Sequence, residues 1–77
     1  MKNEIKEKMD TKGLEWQQAT FKIAAKFMQM QPGTLLEITG NHPRFEGDIK
    51  TWCRKLNKPV IFVNRETSNH LICQIQF

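Results

Sequence analysis

Cysteine is scarce in this 77-residue sequence, with Cys53 and Cys73 the only two. Two thiols in a chain without an export signal argue against a disulfide framework, and such residues are commonly small buried hydrophobes. No apolar run approaches the roughly 20 residues that a membrane-spanning helix needs. The opening segment MKNEIKEKMD lacks the apolar centre of a secretory signal, so a cytoplasmic location is expected. Glycine-rich phosphate loops, a G-x-S-x-G elbow and C-x-x-C or H-x-x-x-H ligand pairs are all missing. His42 and His70 are therefore expected to be structural or solvent-facing, with no metal and no cofactor. Repeats, low-complexity tracts and linkers are absent too, which points to one domain over residues 1–77, with 1–4 as a loose start.

What is present is an ordinary globular composition, 39% hydrophobic and 26% charged. A chain this short buries only about 60% of the surface its unfolded form exposes, so its core is small. The net charge is +4, and residues 40–77 hold six of the twelve basic side chains against three of the eight acidic ones. That excess would favour an acidic partner or an RNA backbone through counterion release. The basic residues are scattered, however, with no aromatic-interleaved basic motif, so a small RNA-binding module ranks below other readings.

Hydrophobic periodicity divides the chain into six elements. Ile5 and Met9 share a parity with charges between them, a short strand closed by Gly13. From Gln17 to Gln29, Thr20, Ile23, Ala24, Phe27, Met28 and Met30 recur at helical spacing, and Pro32-Gly33 ends the helix. Thr34 to Thr39 is a strand with Leu36 and Ile38 on one face. After the loop Gly40-Asn41-His42-Pro43, a second helix carries the stripe Phe45, Ile49, Trp52, Cys53 and Leu56, with Lys55 and Lys58 near its C-terminal end. Pro59 to Val63 is continuously apolar, as a strand in the middle of a packed layer would be. A polar turn over 66–69 follows. In the last strand Leu71, Cys73, Ile75 and Phe77 alternate inward against His70, Gln74 and Gln76. The order β-α-β-α-β-β predicts an α+β two-layer sandwich, with two helices on one face of a four-stranded mixed sheet.

Three segments together carry a family resemblance. They are Asp10-Thr11-Lys12-Gly13-Leu14-Glu15-Trp16-Gln17-Gln18-Ala19, Met30-Gln31-Pro32-Gly33 and Asp48-Ile49-Lys50-Thr51-Trp52-Cys53. Their order and spacing resemble the TusA-like (SirA-like) sulfur carriers, with D-x-x-G-L-x-C-P-x-P, M-x-P-G and D-I-x-x-[WF]-C segments. The resemblance covers roughly residues 5 to 77. It implies the same two-layer fold, a mixed sheet like that of the C-terminal domain of a bacterial translation initiation factor. It also implies sulfur-relay partners such as a cysteine desulfurase, a rhodanese or a DsrE-like protein.

The chain departs from that family where the chemistry would be. A sulfur carrier holds a persulfide on a cysteine at a helix N-terminus, where backbone N–H groups and the macrodipole favour the thiolate. Here Trp16-Gln17-Gln18-Ala19 stands in place of the C-P-x-P box, and an indole holds no transferable sulfur. Two roles are open to Trp16: a packing residue at the helix start, or an aromatic anchor on a partner-docking face. The candidate binding residues are Trp16, Gln17 and Gln18, with His42 and Arg44 on the second loop, where a helix N-terminus would suit an anion or a partner's carboxylate. The leading reading is a diverged, protein-binding relay domain. The alternative is a working sulfurtransferase using Cys53, whose sulfur would be partly accessible and whose pKa would be lowered by Lys50 and Arg54.

Overall fold

The computed structural model describes residues 6–67 and 70–77, with side chains outside 62–67. Its elements are β1 (Lys6–Asp10), α1 (Trp16–Gln29), β2 (Leu35–Gly40), α2 (Phe45–Leu56), β3 (Val60–Thr67) and β4 (His70–Gln76). Their order is the β-α-β-α-β-β expected from periodicity, and both helices lie on one face of a mixed sheet. Ile5, assigned to the first strand from its pattern, lies outside the described residues, as do Ser68 and Asn69 of the polar turn.

The strands run β1-β2-β4-β3 across the sheet. β1 pairs with β2 in parallel, whereas β4 is antiparallel to both β2 and β3. The core follows from strand parity. Leu36, Ile38 and Gly40 oppose Ile75, Cys73 and Leu71 in register, and all six are buried. Onto this face α1 sets Ile23 and α2 sets Phe45, Ile49 and Cys53, which form one cluster with the strand residues. The other face is mostly polar, interrupted by Leu35, Ile61 and Ile72. There Glu37 accepts a hydrogen bond from Gln74 at 3.1 Å, which together with Lys6 and Lys8 holds its carboxyl below the usual range against the opposing effect of burial.

Two expectations need correction. The apolar run from Pro59 was assigned to the middle of the layer, yet β3 is an edge strand and Ile61 is exposed. An apolar run shows only that a strand is hydrophobic; which strand occupies the centre is decided by the β3–β4 hairpin, which docks through β4. The α1 stripe is also only partly covered. Ala19 and Ile23 are buried, and Phe27 and Met30 pack against the core. Ala24 and Met28 face outward with Phe21, because the apolar arc of α1 is wider than the surface available to cover it.

Both helices stop for local reasons. Met30 leaves α1 in extended geometry, and Gly33 takes a positive φ of 89° in the turn before β2. At the end of α2, Asn57 adopts the left-handed conformation at φ 59°. The Lys58 N–H then reaches the Cys53 carbonyl at 2.8 Å and the Asn57 N–H reaches that of Arg54 at 3.2 Å. This is a Schellman closure with asparagine in glycine's usual place, and Pro59 follows it directly.

Candidate functional site

Because β1 and β2 are parallel neighbours, the helices that follow them start side by side. Trp16 is the first residue of α1 and Phe45 the first of α2. The Trp16 indole N–H donates to the Asp48 carboxylate at 2.8 Å, linking positions 32 residues apart. Arg44 places its Nε 3.3 Å from the same carboxylate oxygen. Two rings lie nearly parallel to the indole: His42 stacks at 5.0 Å with rings 16° apart, and Trp52 at 6.1 Å with rings 9° apart. Phe45 meets it edge-on at 6.3 Å.

Three of the five candidate binding residues, Trp16, His42 and Arg44, therefore converge on one cluster. Gln17 and Gln18 are exposed on the first turn of α1. Asp48 and Trp52 join the cluster without having been singled out as site residues, although both stand in the D-I-x-x-W-C segment. Trp16 is half-buried, hydrogen-bonded to Asp48, stacked with two rings and packed against the core, so the geometry favours its packing role. Arg44, Gln17 and Gln18 are exposed whereas Trp16 and His42 are half-buried, so an incoming partner would meet the arginine and the glutamines more readily than the indole.

The loop before α2 uses its own donors. The Arg44 N–H donates to His42 Nδ1 at 3.1 Å, and the Phe45 N–H donates to the His42 carbonyl at 3.0 Å. Glu46 and Asp48 supply the negative charge that this helix end favours. An external anion therefore has less to gain here than the sequence suggested.

The thiol readings separate clearly. Cys53 was expected to show part of its sulfur, but it is 1% exposed within the core. Its pKa is pushed up to about 11 by burial, with no lowering from Lys50 or Arg54. Both cations lie on the outer side of α2, where they are exposed, whereas the sulfur points toward the sheet. Cys73 is buried as expected, and burial, with a smaller contribution from Cys53, pushes it to about 12. Both cysteines are unpaired thiols. Among the described residues, no group of three His, Cys, Asp or Glu side chains is placed to hold a metal ion. Nor is any described helix long and apolar enough to cross a membrane.

These raised values have a direction in pH. The unfolded chain loses its thiol protons near pH 9, before the folded chain does, so stability is whole below that point and falls as pH rises toward 11 and 12. Urea unfolding at pH 7 and pH 10 should show this decline, and a Cys53→Ala/Cys73→Ala variant should show a shallower one. Equal slopes in the two proteins would refute the assignment.

Comparison of the chain with family models, curated proteins and solved structures finds no match.

Proposed function

We propose that this chain is a diverged TusA-like sulfur-relay domain that binds a protein partner and carries no persulfide at the usual position. The observation that carries this reading is the Trp16 indole at the start of α1, tied to Asp48 at 2.8 Å where the resembled carriers place their cysteine. Neither remaining thiol replaces it, since both are buried and protonated at neutral pH. A thiol in that state is a poor nucleophile and has no path to a desulfurase persulfide. The helix starts, with His42 and Arg44 beside exposed Gln17 and Gln18, remain available as a polar recognition surface. Partners of the desulfurase, rhodanese or DsrE-like kind belong to the same proposal. So does a cytoplasmic setting, which two unpaired thiols suit.

The test is sulfur loading. The protein is incubated with a cysteine desulfurase and free cysteine, then weighed intact by mass spectrometry. The expected spectrum shows the unmodified chain. A gain of one sulfur atom that maps to Cys53 and disappears in Cys53→Ser would overturn the proposal and establish the thiol as the carrier.

A further inference from the structure

Outside the cluster at the helix starts, the outer surface of the helix layer holds an open groove of about 540 Å³ between α1 and α2. Its walls include Phe21, Ala24, Met28, Trp52, Lys55 and Leu56. Phe21 is 70% exposed, Met28 87% and Leu56 51%. Three large apolar side chains left in water around one depression mark a surface suited to a partner. Trp52 links the groove to the cluster, because the same indole lines the groove and stacks on Trp16.

Length and charge indicate what fits. From Thr20 to Met28 the α1 wall advances about 12 Å at the helical rise. That matches two turns of a partner helix, the i to i+7 span through which amphipathic helices anchor in grooves. Among the described residues of the lining, Lys55 is the only charged one. α1 contains no acidic residue, and the last turn of α2 adds Arg54 beside Lys55. The nearest carboxylates on α2 are already engaged, Asp48 by Arg44 and Glu46 by Lys50 at 2.8 Å. A second copy of the chain would add another Lys55 and Arg54 rather than the opposite charge that an acidic partner supplies.

We propose that this groove receives an amphipathic α-helix of a partner protein, apolar on the face laid between α1 and α2 and acidic along the flank that meets Lys55. This rests on reading the chain as a docking module and adds to the helix-start surface a second contact area, joined to it by Trp52, and what the partner presents there. Complementary charge would guide encounter and orientation, while the apolar face would supply most of the affinity.

The experiment uses three synthetic peptides of about 15 residues. One has leucines at i, i+3, i+4 and i+7 with glutamate flanks, the second carries lysine flanks, and the third scrambles the acidic one. Binding to the whole chain is followed by peptide anisotropy and by tryptophan fluorescence, to which Trp52 contributes. The acidic helix should bind about tenfold more tightly than the lysine version, and the scrambled peptide should not bind. Met28→Glu and Phe21→Glu, both at exposed positions, should abolish binding with circular dichroism unchanged. Lys55→Glu should weaken the acidic peptide about fivefold and reduce its advantage over the lysine peptide.

Absence of binding, or binding indifferent to Met28→Glu, would overturn the proposal. So would a concentration-dependent dimer that Met28→Glu disperses, which would assign the groove to a second copy. Attachment to phosphatidylglycerol vesicles without peptide binding would assign it to a membrane surface. Sulfur loading is read independently. Failure of the peptide experiment with no persulfide formed removes only the groove assignment, whereas a Cys53 persulfide removes the parent reading.

Discussion

Phe45→Ala is expected to lower stability by about 3–5 kcal/mol, the range for truncating a fully buried aromatic. Phe45 is 0% exposed and belongs to the cluster that joins both helices to the sheet. Its ring packs T-shaped against Trp16 and lies over Gly40, so removal opens a cavity at the point where both helix starts meet. A chain of this length has about 4–12 kcal/mol of stability in total, and the loss would consume a large part of it. Urea unfolding monitored by tryptophan fluorescence is well placed to measure it, since Trp16 is the neighbour that loses its contact. Phe45→Leu keeps most of the volume and should cost about 1–1.5 kcal/mol. A shift below about 1 kcal/mol for Phe45→Ala would show that the surroundings close over the gap, contrary to a packed cluster.

Gly40→Ala should be the second most damaging change, for a reason of space alone. A Cβ built on Gly40 would lie 2.5 and 2.6 Å from two Phe45 ring carbons and 2.8 Å from the Thr11 hydroxyl oxygen. The backbone has little freedom to yield. Gly40 ends β2, which is held between β1 and β4, and the Thr11 N–H and hydroxyl both donate to the adjacent Thr39 carbonyl at 2.8 Å. In a strand, alanine would ordinarily gain about 0.5–1 kcal/mol over glycine by restricting the unfolded chain. Overpacking reverses that sign, and a net loss of about 1–3 kcal/mol is expected. The assignment is checked by a double-mutant cycle: in a Phe45→Leu background, Gly40→Ala should cost clearly less, because the smaller side chain can move aside. Additive effects, or a neutral Gly40→Ala, would exclude the close fit.

How much of this was legible in the sequence depends on how local the cause is. The period of β4 gave its inward face correctly, since Leu71, Cys73 and Ile75 are all buried. The α2 stripe likewise located Phe45, Ile49 and Cys53. Periodicity shows which residues share a face and leaves open how much of that face is covered, so Met28 and Leu56 read as core and stand in water. Strand order was invisible for the same reason, as nothing in Val60 to Val63 says what lies beside it. The stop at Asn57 was readable in principle, because asparagine tolerates the left-handed conformation and Pro59 follows. The bond from Trp16 to Asp48 was not, since no local rule links positions 32 residues apart. The stripe placed Cys53 on the right face, but a position toward the margin of that stripe suggested an accessible sulfur, and two nearby cations a lowered pKa. Lys50 stands one turn before Cys53 and Arg54 next to it, yet both are exposed while the sulfur lies in the core, and burial raises its pKa.

The strand order also has a consequence for biosynthesis. β4 is translated after the other three strands but lies between β2 and β3. Until it leaves the ribosome, β2 has an open side and Ile38 and Leu36 lack their antiparallel partners Cys73 and Ile75. A nascent chain released only as far as β3 would expose these apolar residues and an unpaired strand margin, the state most prone to misassociation. Folding of this sheet is thus a late event completed after synthesis of the segment, and any nascent-chain chaperone would have its longest opportunity just before residue 70 emerges.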